Sequence, residues 1–443
     1  MASAAEQLAS NLNFSAFSKA EDLKRRIWFT LGALVIYRLG TYIPLPGIDM
    51  GVMAEISKRN ATGILGMIDM FSGGALWRMT IFALNIMPYI SASIIIQLLT
   101  AIHPPFEALK KEGDSGRKKL NQYTRYLTVL LASVQAFALA RTLEANGATY
   151  MPGMFFELST VVNIVGGTMF LMWLGEQITA RGIGNGVSLI IFSGIVANLP
   201  QSALRMLDMG REGQFHSLFI LAVLVAICGL IAFIVFMERA QRKVMIQYPK
   251  RQMGNKVVGG ETNHLPLKLN VAGVIPPIFA SSILMLPSTL ASFATNAPDW
   301  VQTIFFHLGH GRPVFMILYS FLIVFFAFFY TAIVFNPEET SENLKKSGAF
   351  IPGIRPGANT ASYFDYLLTR LTTLGALYLV FVCILPEFLQ IKYALPFYLG
   401  GTSVLIVVSV TIDTVGQVHS HLLAHQYEHL LKKSKLHSKG RRR

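Results

Sequence analysis

The chain has 443 residues, of which 53% are hydrophobic and only 14% are charged, and its mean hydropathy is +0.48. A soluble domain carries about a quarter charged residues, so this composition excludes an ordinary soluble protein and predicts a multi-pass membrane protein. The net charge is +14, and both cysteines, Cys228 and Cys383, lie in apolar runs, which excludes a disulfide framework.

Ten apolar runs approach the roughly 20 residues that a helix needs to cross a bilayer. Residues 1–26, before the first run, are mostly polar and predict a cytoplasmic N-terminal segment rather than a cleaved signal. In chain order the predicted spans are 27–43, 79–101, 123–140, 155–174, 186–204, 217–237, 272–293, 314–335, 371–386 and 397–415. Runs of this length indicate helices, because a membrane barrel would show shorter alternating segments.

A short apolar segment, 64–74, lies between the first two spans and ends in Ser72, Gly73 and Gly74. It is too short to cross the membrane, and glycine-interrupted segments of this kind line internal cavities in transporters and channels. The alternative is a loop at the membrane interface.

The second and seventh spans are related in sequence. Residues 86–95 and 274–283 are identical at five of ten positions, among them Pro88 and Pro276, which we expect to loosen their helices. The same offset of 188 residues relates spans 1 and 3 to spans 6 and 8. We therefore predict two five-span halves, 27–204 and 217–415, joined by a periplasmic hinge loop at 205–216. Halves with an odd number of spans have opposite orientations, so the pathway is expected between them.

Basic residues are concentrated in alternate connections. With a cytoplasmic N-terminus, 29 of the 38 Lys and Arg residues lie on the cytoplasmic side, as the positive-inside rule favours. The predicted topology has both termini in the cytoplasm, cytoplasmic loops at 238–271 and 336–370, and a basic tail at 416–443. Insertion alone explains part of this charge, but seven basic residues in one loop also suit a phosphate-rich or acidic partner.

The span centres are nearly free of charge, with Arg38 in the outer half of span 1 as the main exception. A coupled solute carrier is expected to keep charges at the midplane, where each costs about 2.5–3.5 kcal/mol. Ile90 and Ile278 instead predict a hydrophobic constriction on the pathway. An inverted-repeat carrier for an apolar solute and a membrane-embedded enzyme are the alternatives, although the chain lacks catalytic polar residues at depth.

Three motifs are similar to enzyme sites but occur in the wrong context. His425 and His429 have a zinc-binding spacing, yet no acidic residue follows Glu428 to complete a site. Residues 113–116 match part of a protease nucleophile turn, and 182–186 are glycine-rich like a phosphate loop but lack its preceding strand. We therefore expect no catalytic residue, metal or cofactor, and we expect 182–186 to begin span 5.

Three longer stretches closely resemble the bacterial SecY family. They are FALNIMPYISASIIIQ at 82–97, WLGEQITARGIGNGVS at 173–188 and GAFIPGIRPG at 348–357, and the resemblance runs from about residue 23 to residue 433. It implies an all-α integral membrane protein with ten spans in two inverted halves and a short plug helix between spans 1 and 2. The implied function is the central channel of the general secretory translocon, which passes unfolded polypeptides across the bacterial inner membrane and releases apolar segments sideways into lipid.

The resemblance also implies roles for individual positions. The pore ring comprises Ile86, Ile90, Val187, Ile191, Ile278 and Ile406. The plug, 64–74, includes Ile64, Met67, Ile68, Met70, Phe71, Ser72, Gly73 and Gly74. The lateral gate, between spans 2 and 3 on one side and 7 and 8 on the other, includes Ser91, Ser93, Gln97, Ser281 and Ser282. The docking surface comprises Arg239, Arg242, Lys243, Lys250, Arg251, Lys345, Lys346 and Arg355.

The implied partners are the membrane subunits SecE and SecG, the motor ATPase SecA, the ribosome through its RNA, signal sequences with their unfolded client chains, and membrane lipids. Two positions depart from the family pattern. Asn85 replaces the usual glycine of the first stretch, and Glu338 stands where many relatives have a basic residue.

Overall fold

The computed structural model describes residues 20–60, 69, 71–212, 216–248, 251–253, 256–258, 262–291, 312–393 and 400–440. Within these ranges, side chains are described except at 57–60, 205, 209, 217, 251–253, 256–258, 285–291, 391, 393 and 425–440. Helices α1 to α13 are Glu21–Gly40, Met50–Asn60, Met87–Ile102, Pro104–Lys111, Asp114–Ala145, Met154–Arg181, Gly186–Arg211, Ser217–Arg239, Ile275–Ala291, Pro313–Val334, Pro337–Lys346, Ala358–Tyr393 and Gly401–Gly440. Strands β1 to β4 are Gln241–Gln247, Arg251–Met253, Lys256–Val258 and Thr262–Lys268.

Each of the ten predicted spans overlaps one of these helices. Seven helices in the described ranges are long and apolar enough to cross a membrane, or eight if the bent pair α3 and α4 forms one span. Helix α1 carries Lys24, Arg25 and Arg26 near its start, and the described apolar part of α9 is the short stretch Ile275–Leu284. The predicted helical membrane fold is thus observed, while the count of ten remains a prediction.

The start of the second span differs from the prediction. Residues 79–86 form turns rather than helix, and α3 begins only at Met87. Pro88 and Pro276 lie in the first turns of α3 and α9, where no backbone N–H is needed for an intrahelical bond. The expectation that these prolines loosen continuous helices was wrong, because they start the helices instead.

The helices pack in two groups. Helices α1, α3, α5, α6 and α7 contact one another, as do α8, α9, α10, α12 and α13. The groups meet where α3 and α5 contact α9, and again where α7 contacts α8 and α13 and where α1 contacts α13. This grouping follows the two predicted halves, whose boundaries remain predictions, and it leaves a seam along α3 and α9.

The loops at 238–271 and 336–370 form one folded unit, which we call the platform. Strand β1 pairs antiparallel with β4, and Gln247 at the end of β1 exchanges two backbone hydrogen bonds with Phe350 in the second loop. Val244, Ile351 and Phe364 are buried between them. The sequence analysis did not anticipate these strands, although Val244 and Ile246 alternate with exposed residues as a half-buried strand requires.

Candidate functional site

An open cavity of about 550 Å³ lies where the two helix groups meet. Its lining residues come from α3, α5, α6, the start of α7 and α9: Tyr89, Ile90, Ser93, Gln97, Asn121, Arg125, Glu176, Thr179, Ala180, Asn185, Val187, Ser188, Ile191, Ile275, Ile278 and Phe279. Four predicted ring residues, Ile90, Val187, Ile191 and Ile278, are therefore brought together around one space. The other two, Ile86 and Ile406, are buried in the adjoining core rather than along this lining.

Helical periodicity explains how the lining is presented. Ile90, Ser93 and Gln97 are spaced by three and four residues, so they share one face of α3. Val187 and Ile191 are one turn apart on α7. The side chain of Asn185 caps α7 by accepting hydrogen bonds from the backbone N–H groups of Val187 at 3.1 Å and Ser188 at 3.4 Å. This cap fixes the start of α7 beside the cavity.

Two of the predicted gate residues, Ser93 and Gln97, line the cavity, and Gln97 Nε2 donates to Ser93 Oγ at 3.2 Å. The remaining three, Ser91, Ser281 and Ser282, are buried. Ser281 Oγ donates to the carbonyl of Ile278 at 2.9 Å, within its own helix. No bond across the α3–α9 seam joins the described gate serines, so apolar packing holds this seam together.

A polar pair that the sequence analysis did not single out lies on the cavity wall. Arg125 Nη2 and Glu176 Oε2 are 2.7 Å apart and link α5 to α6. Arg125 was counted only as a cytoplasmic loop charge. The sequence could have indicated this pair. Glu176 follows the end of predicted span 4 and Arg125 lies at the start of predicted span 3, so the predicted topology places the opposite charges at the same membrane face. The cavity thus combines an apolar part with a charged end.

Residues 71–74, the C-terminal end of the predicted plug, are held by side chains from outside the segment. Every backbone carbonyl in it accepts a hydrogen bond from such a side chain. The bonds are Asn85 Nδ2 to Phe71 O at 2.6 Å, Tyr37 Oη to Ser72 O at 3.2 Å, Arg38 Nη1 and Arg78 Nη2 to Gly73 O at 2.9 and 2.7 Å, and Arg78 Nε to Gly74 O at 2.9 Å. We call these four donor residues the carbonyl clamp. Arg38, the unexplained charge of span 1, therefore binds this segment.

The clamped segment lies directly on α7. A Cβ atom added at Gly194 would collide with the Phe71 carbonyl, so glycine permits the approach. Gly73 and Gly74 adopt positive φ values of 68° and 84°, which also favour glycine. The other predicted plug residues, Ile64, Met67, Ile68 and Met70, lie outside the described residues.

Asp69 caps the turns that follow the segment. Its Oδ1 accepts from the backbone N–H groups of Leu76 and Trp77, both at 3.1 Å. Burial raises the pKa of Asp69 to about 6, although these N–H donors and the Arg78 charge favour its ionised form. The carboxyl group thus joins residue 69 to the turns that lead to α3.

Six of the predicted docking residues are exposed on the platform or next to it: Arg239, Arg242, Lys243, Lys345, Lys346 and Arg355. Lys250 lies outside the described residues, and Arg251 is described only as part of β2. The loop of Arg355 is fixed, because its carbonyl accepts from Thr360 Oγ1 at 3.1 Å and the Gly357 carbonyl accepts from Ser341 Oγ at 2.7 Å. The platform therefore presents its positive charge on an ordered surface.

The departure at Glu338 has a local explanation. Glu338 lies in the first turn of α11, where Asn336 caps the helix and the helix dipole favours a negative charge. The glycine-rich stretch 182–186 leads into α7, which begins at its last residue, Gly186, and the Gly184 N–H donates to Gln417 Oε1 at 2.8 Å. Among the residues described, no group of three or more His, Cys, Asp or Glu could hold a metal ion. The His425 and His429 side chains lie outside the described set.

The chain is similar to known proteins over nearly its full length. It is 54% identical to the protein translocase subunit SecY of Rickettsia typhi, over 96% of this chain and 99% of that protein. It is 52% identical to the protein of the same name from Escherichia coli K12, over 95% and 96% of the two chains. These relatives are translocase subunits, which confirms the expectation of a transport protein rather than an enzyme.

Solved channel structures share the fold. One, described as a protein-conducting channel, gives a TM-score of 0.67 at 19% identity and covers 90% of this chain and 92% of that one. A SecY structure described with a plug domain that stabilises the closed state gives 0.64 at 19% identity over the same shares of the two chains. Sec61 from a canine ribosome–channel complex gives 0.62 at 18% identity, with the same coverage. At these identities the likeness establishes the fold alone.

The SecY family model matches residues 80–415, which include helices α3 to α12, the start of α13, the cavity and the platform. Together with the relatives above, this match confirms the resemblance of the three sequence stretches. This multi-pass membrane protein belongs to the SecY family.

Proposed function

We propose that the chain is the protein-conducting channel of a bacterial inner membrane, with both termini in the cytoplasm. It passes unfolded polypeptides through the space between its two helix groups and releases apolar segments sideways along the α3–α9 seam. The observation that carries this proposal is the cavity, whose isoleucine and valine side chains come from both helix groups.

The apolar part of the cavity suits a seal that opens. Water is unstable in a narrow apolar neck, so branched side chains block ions without needing a charge. Isoleucine is stiff at χ1, which keeps the collar in shape. Because such side chains make no hydrogen bonds, they part around a passing chain without breaking any. Ile90, Ile191 and Ile278 are the central members of this neck, and we assign Ile86, Val187 and Ile406 to its margin.

The segment 64–74 is assigned as a plug that closes the neck. A plug domain that stabilises the closed state is described for a similar SecY structure. In this chain the carbonyl clamp supports the assignment, because it holds residues 71–74 against α7, the helix that also carries Ile191. Opening requires those hydrogen bonds to be exchanged for others.

We assign the platform to the cytoplasmic side, as the docking surface for a ribosome and for the motor ATPase SecA. SecE and SecG are assigned as membrane subunits. Similar Sec61 and Ssh1 channels are described in ribosome complexes. The exposed guanidinium of Arg355 suits bidentate binding of phosphate or carboxylate groups. Signal sequences, which are apolar helices, are expected to enter at the α3–α9 seam and displace its apolar contacts.

Reconstitution tests this proposal. Vesicles containing the purified chain with SecE, SecG and SecA should protect a client with a signal sequence from added protease, and only when ATP is present. The same client without its signal sequence is the matched control and should stay degraded. Equal protection of both clients, or none of either, would contradict the proposed function.

A further inference from the structure

Asn85 has a strained backbone conformation, and its side chain forms a hydrogen bond to the plug. Its φ is 50°, in the left-handed region that asparagine tolerates better than most residues do. The residue is 1% exposed, and its Nδ2 donates to the Phe71 carbonyl at 2.6 Å. Its Oδ1 is buried with no hydrogen-bond partner among the described residues. The side chain is therefore committed to one bond, the one that reaches the plug.

This bond joins two parts that have to separate when the channel opens. Phe71 lies in the clamped segment, and Asn85 lies two residues before α3, whose face carries Ile90 and Gln97. The other clamp residues reach Ser72, Gly73 and Gly74, so none of them replaces the bond to Phe71. Asn85 thus connects the plug to the start of the gate helix.

Glycine at position 85 would adopt the same backbone conformation without strain but has no side-chain donor. We propose that Asn85 is a positioning residue that adds a hydrogen bond to the closed state, so that this channel is closed more tightly than a version with glycine at position 85. The inference rests on the proposed channel function. Because the Asn85 bond joins the plug to the start of α3, we expect movement of α3 and release of the plug to be coupled.

The matched variant is Asn85→Gly, which tolerates the same positive φ and removes the side chain with its amide donor. A buried neutral hydrogen bond shifts a two-state equilibrium by about 2- to 10-fold. We expect the open probability at rest in planar bilayers to rise by that factor, with an unchanged melting temperature in detergent. Clients with weakened signal sequences should be exported faster by a similar factor. Asn85→Asp, which tolerates the same φ but as a carboxylate cannot donate, should leak at least as much.

The outcomes separate this inference from the proposed function. If the parent exports clients and both variants conduct ions as rarely as the parent does, the plug is positioned without Asn85 and the inference fails while the channel function stands. A lower melting temperature with less export and no added conductance also overturns it, since that pattern marks a purely structural residue. A parent that exports nothing in the presence of its partners overturns both.

Discussion

Arg38 and Arg78 donate hydrogen bonds to the same atom, the carbonyl oxygen of Gly73, at 2.9 and 2.7 Å. Both guanidinium groups also lie over the ring of Tyr42, with centroid distances of 5.1 and 4.2 Å. Two positive charges on one carbonyl repel each other, and the aromatic face offsets part of that repulsion. The arrangement shows that residues 71–74 are held from outside the segment through their backbone carbonyls.

The two arginines should contribute unequally to closure. Arg78 binds two carbonyls, those of Gly73 and Gly74, whereas Arg38 binds one. Hydrogen bonds from charged donors are worth about 1.5–3 kcal/mol each, so we expect Arg78→Met to raise the resting ion conductance by tenfold or more. Arg38→Met should raise it less. Arg141→Met removes an ion pair with Glu157 outside the clamp and should not open the channel. Equal conductance in all three variants would contradict the clamp.

Gly194 should be intolerant of even a methyl group. A Cβ atom there would overlap the Phe71 carbonyl, so Gly194→Ala has to displace the plug, or α7, or both. We expect a leaking channel and a modest loss of stability, measured as conductance and melting temperature. Gly166→Ala and Gly229→Ala are matched controls, because an added Cβ at either position meets nothing within 4 Å. A Gly194→Ala channel as tight as these controls would show that the plug does not rest on α7.

The apolar neck predicts a graded effect of serine substitutions. Changing Ile90, Ile191 and Ile278 together to serine wets the cavity, so we expect resting ion conductance and export of clients with weak signal sequences. Ile406→Ser alters a predicted ring residue outside the lining and should leak less. Ile164→Ser, in the fully buried core of α6, is the control. It should cost about 1–3 kcal/mol of stability without opening the channel. A silent triple variant that inserts normally would eliminate the neck.

The seam predicts a reversible crosslink. In a Cys228→Ser background, cysteines at Ser93 and Ser281, or at positions one turn away, should include a pair whose Cα atoms lie within about 7 Å. Oxidation should stop the release of apolar segments into lipid, and reductant should restore it. Each single cysteine variant is the control. If oxidised channels with a formed bridge still integrate membrane proteins, the exit lies elsewhere.

The platform predicts a selective docking defect. Arg355→Glu reverses an exposed charge on a loop fixed by Ser341 and Thr360, so the fold and membrane insertion should be unaffected. We expect SecA-driven export to fall by at least tenfold, with binding of SecA to vesicles weakened in parallel. Arg355→Lys keeps the charge but loses the bidentate geometry and should lie in between. Normal export by the glutamate variant would remove Arg355 from the docking surface.

Sequence patterns predicted the long helices well because hydrophobic length is a strong signal. Helices α8 and α10, the most apolar, begin within one residue of their predicted spans and end within two. Residues 79–86 were misjudged because their composition is as apolar as that of a helix, while the positive φ values of Met79 and Asn85 depend on tertiary contacts.

The candidate site was only partly predictable for the same physical reason. Spacing along a helix placed Ile90 near Gln97, and the repeat suggested that Ile278 faces Ile90. The role of Arg38 depends on a carbonyl 35 residues later, and no local pattern indicates such a bond. The Arg125–Glu176 pair is also non-local, since the two residues are 51 positions apart.

The short connection between the platform and α9 has a mechanical consequence. Strand β4 ends at Lys268 and α9 begins at Ile275, so six residues connect them. Asn270 lies in this connection, and its Nδ2 donates to Glu238 Oε1 at the end of α8 at 2.8 Å. The same Nδ2 donates to the Gly273 carbonyl, within the connection, at 3.0 Å. The bridge between Gln247 and Phe350 ties the two loops together. We therefore expect a partner bound to the platform to pull on α9 through this short connection and to strain the seam without entering the channel.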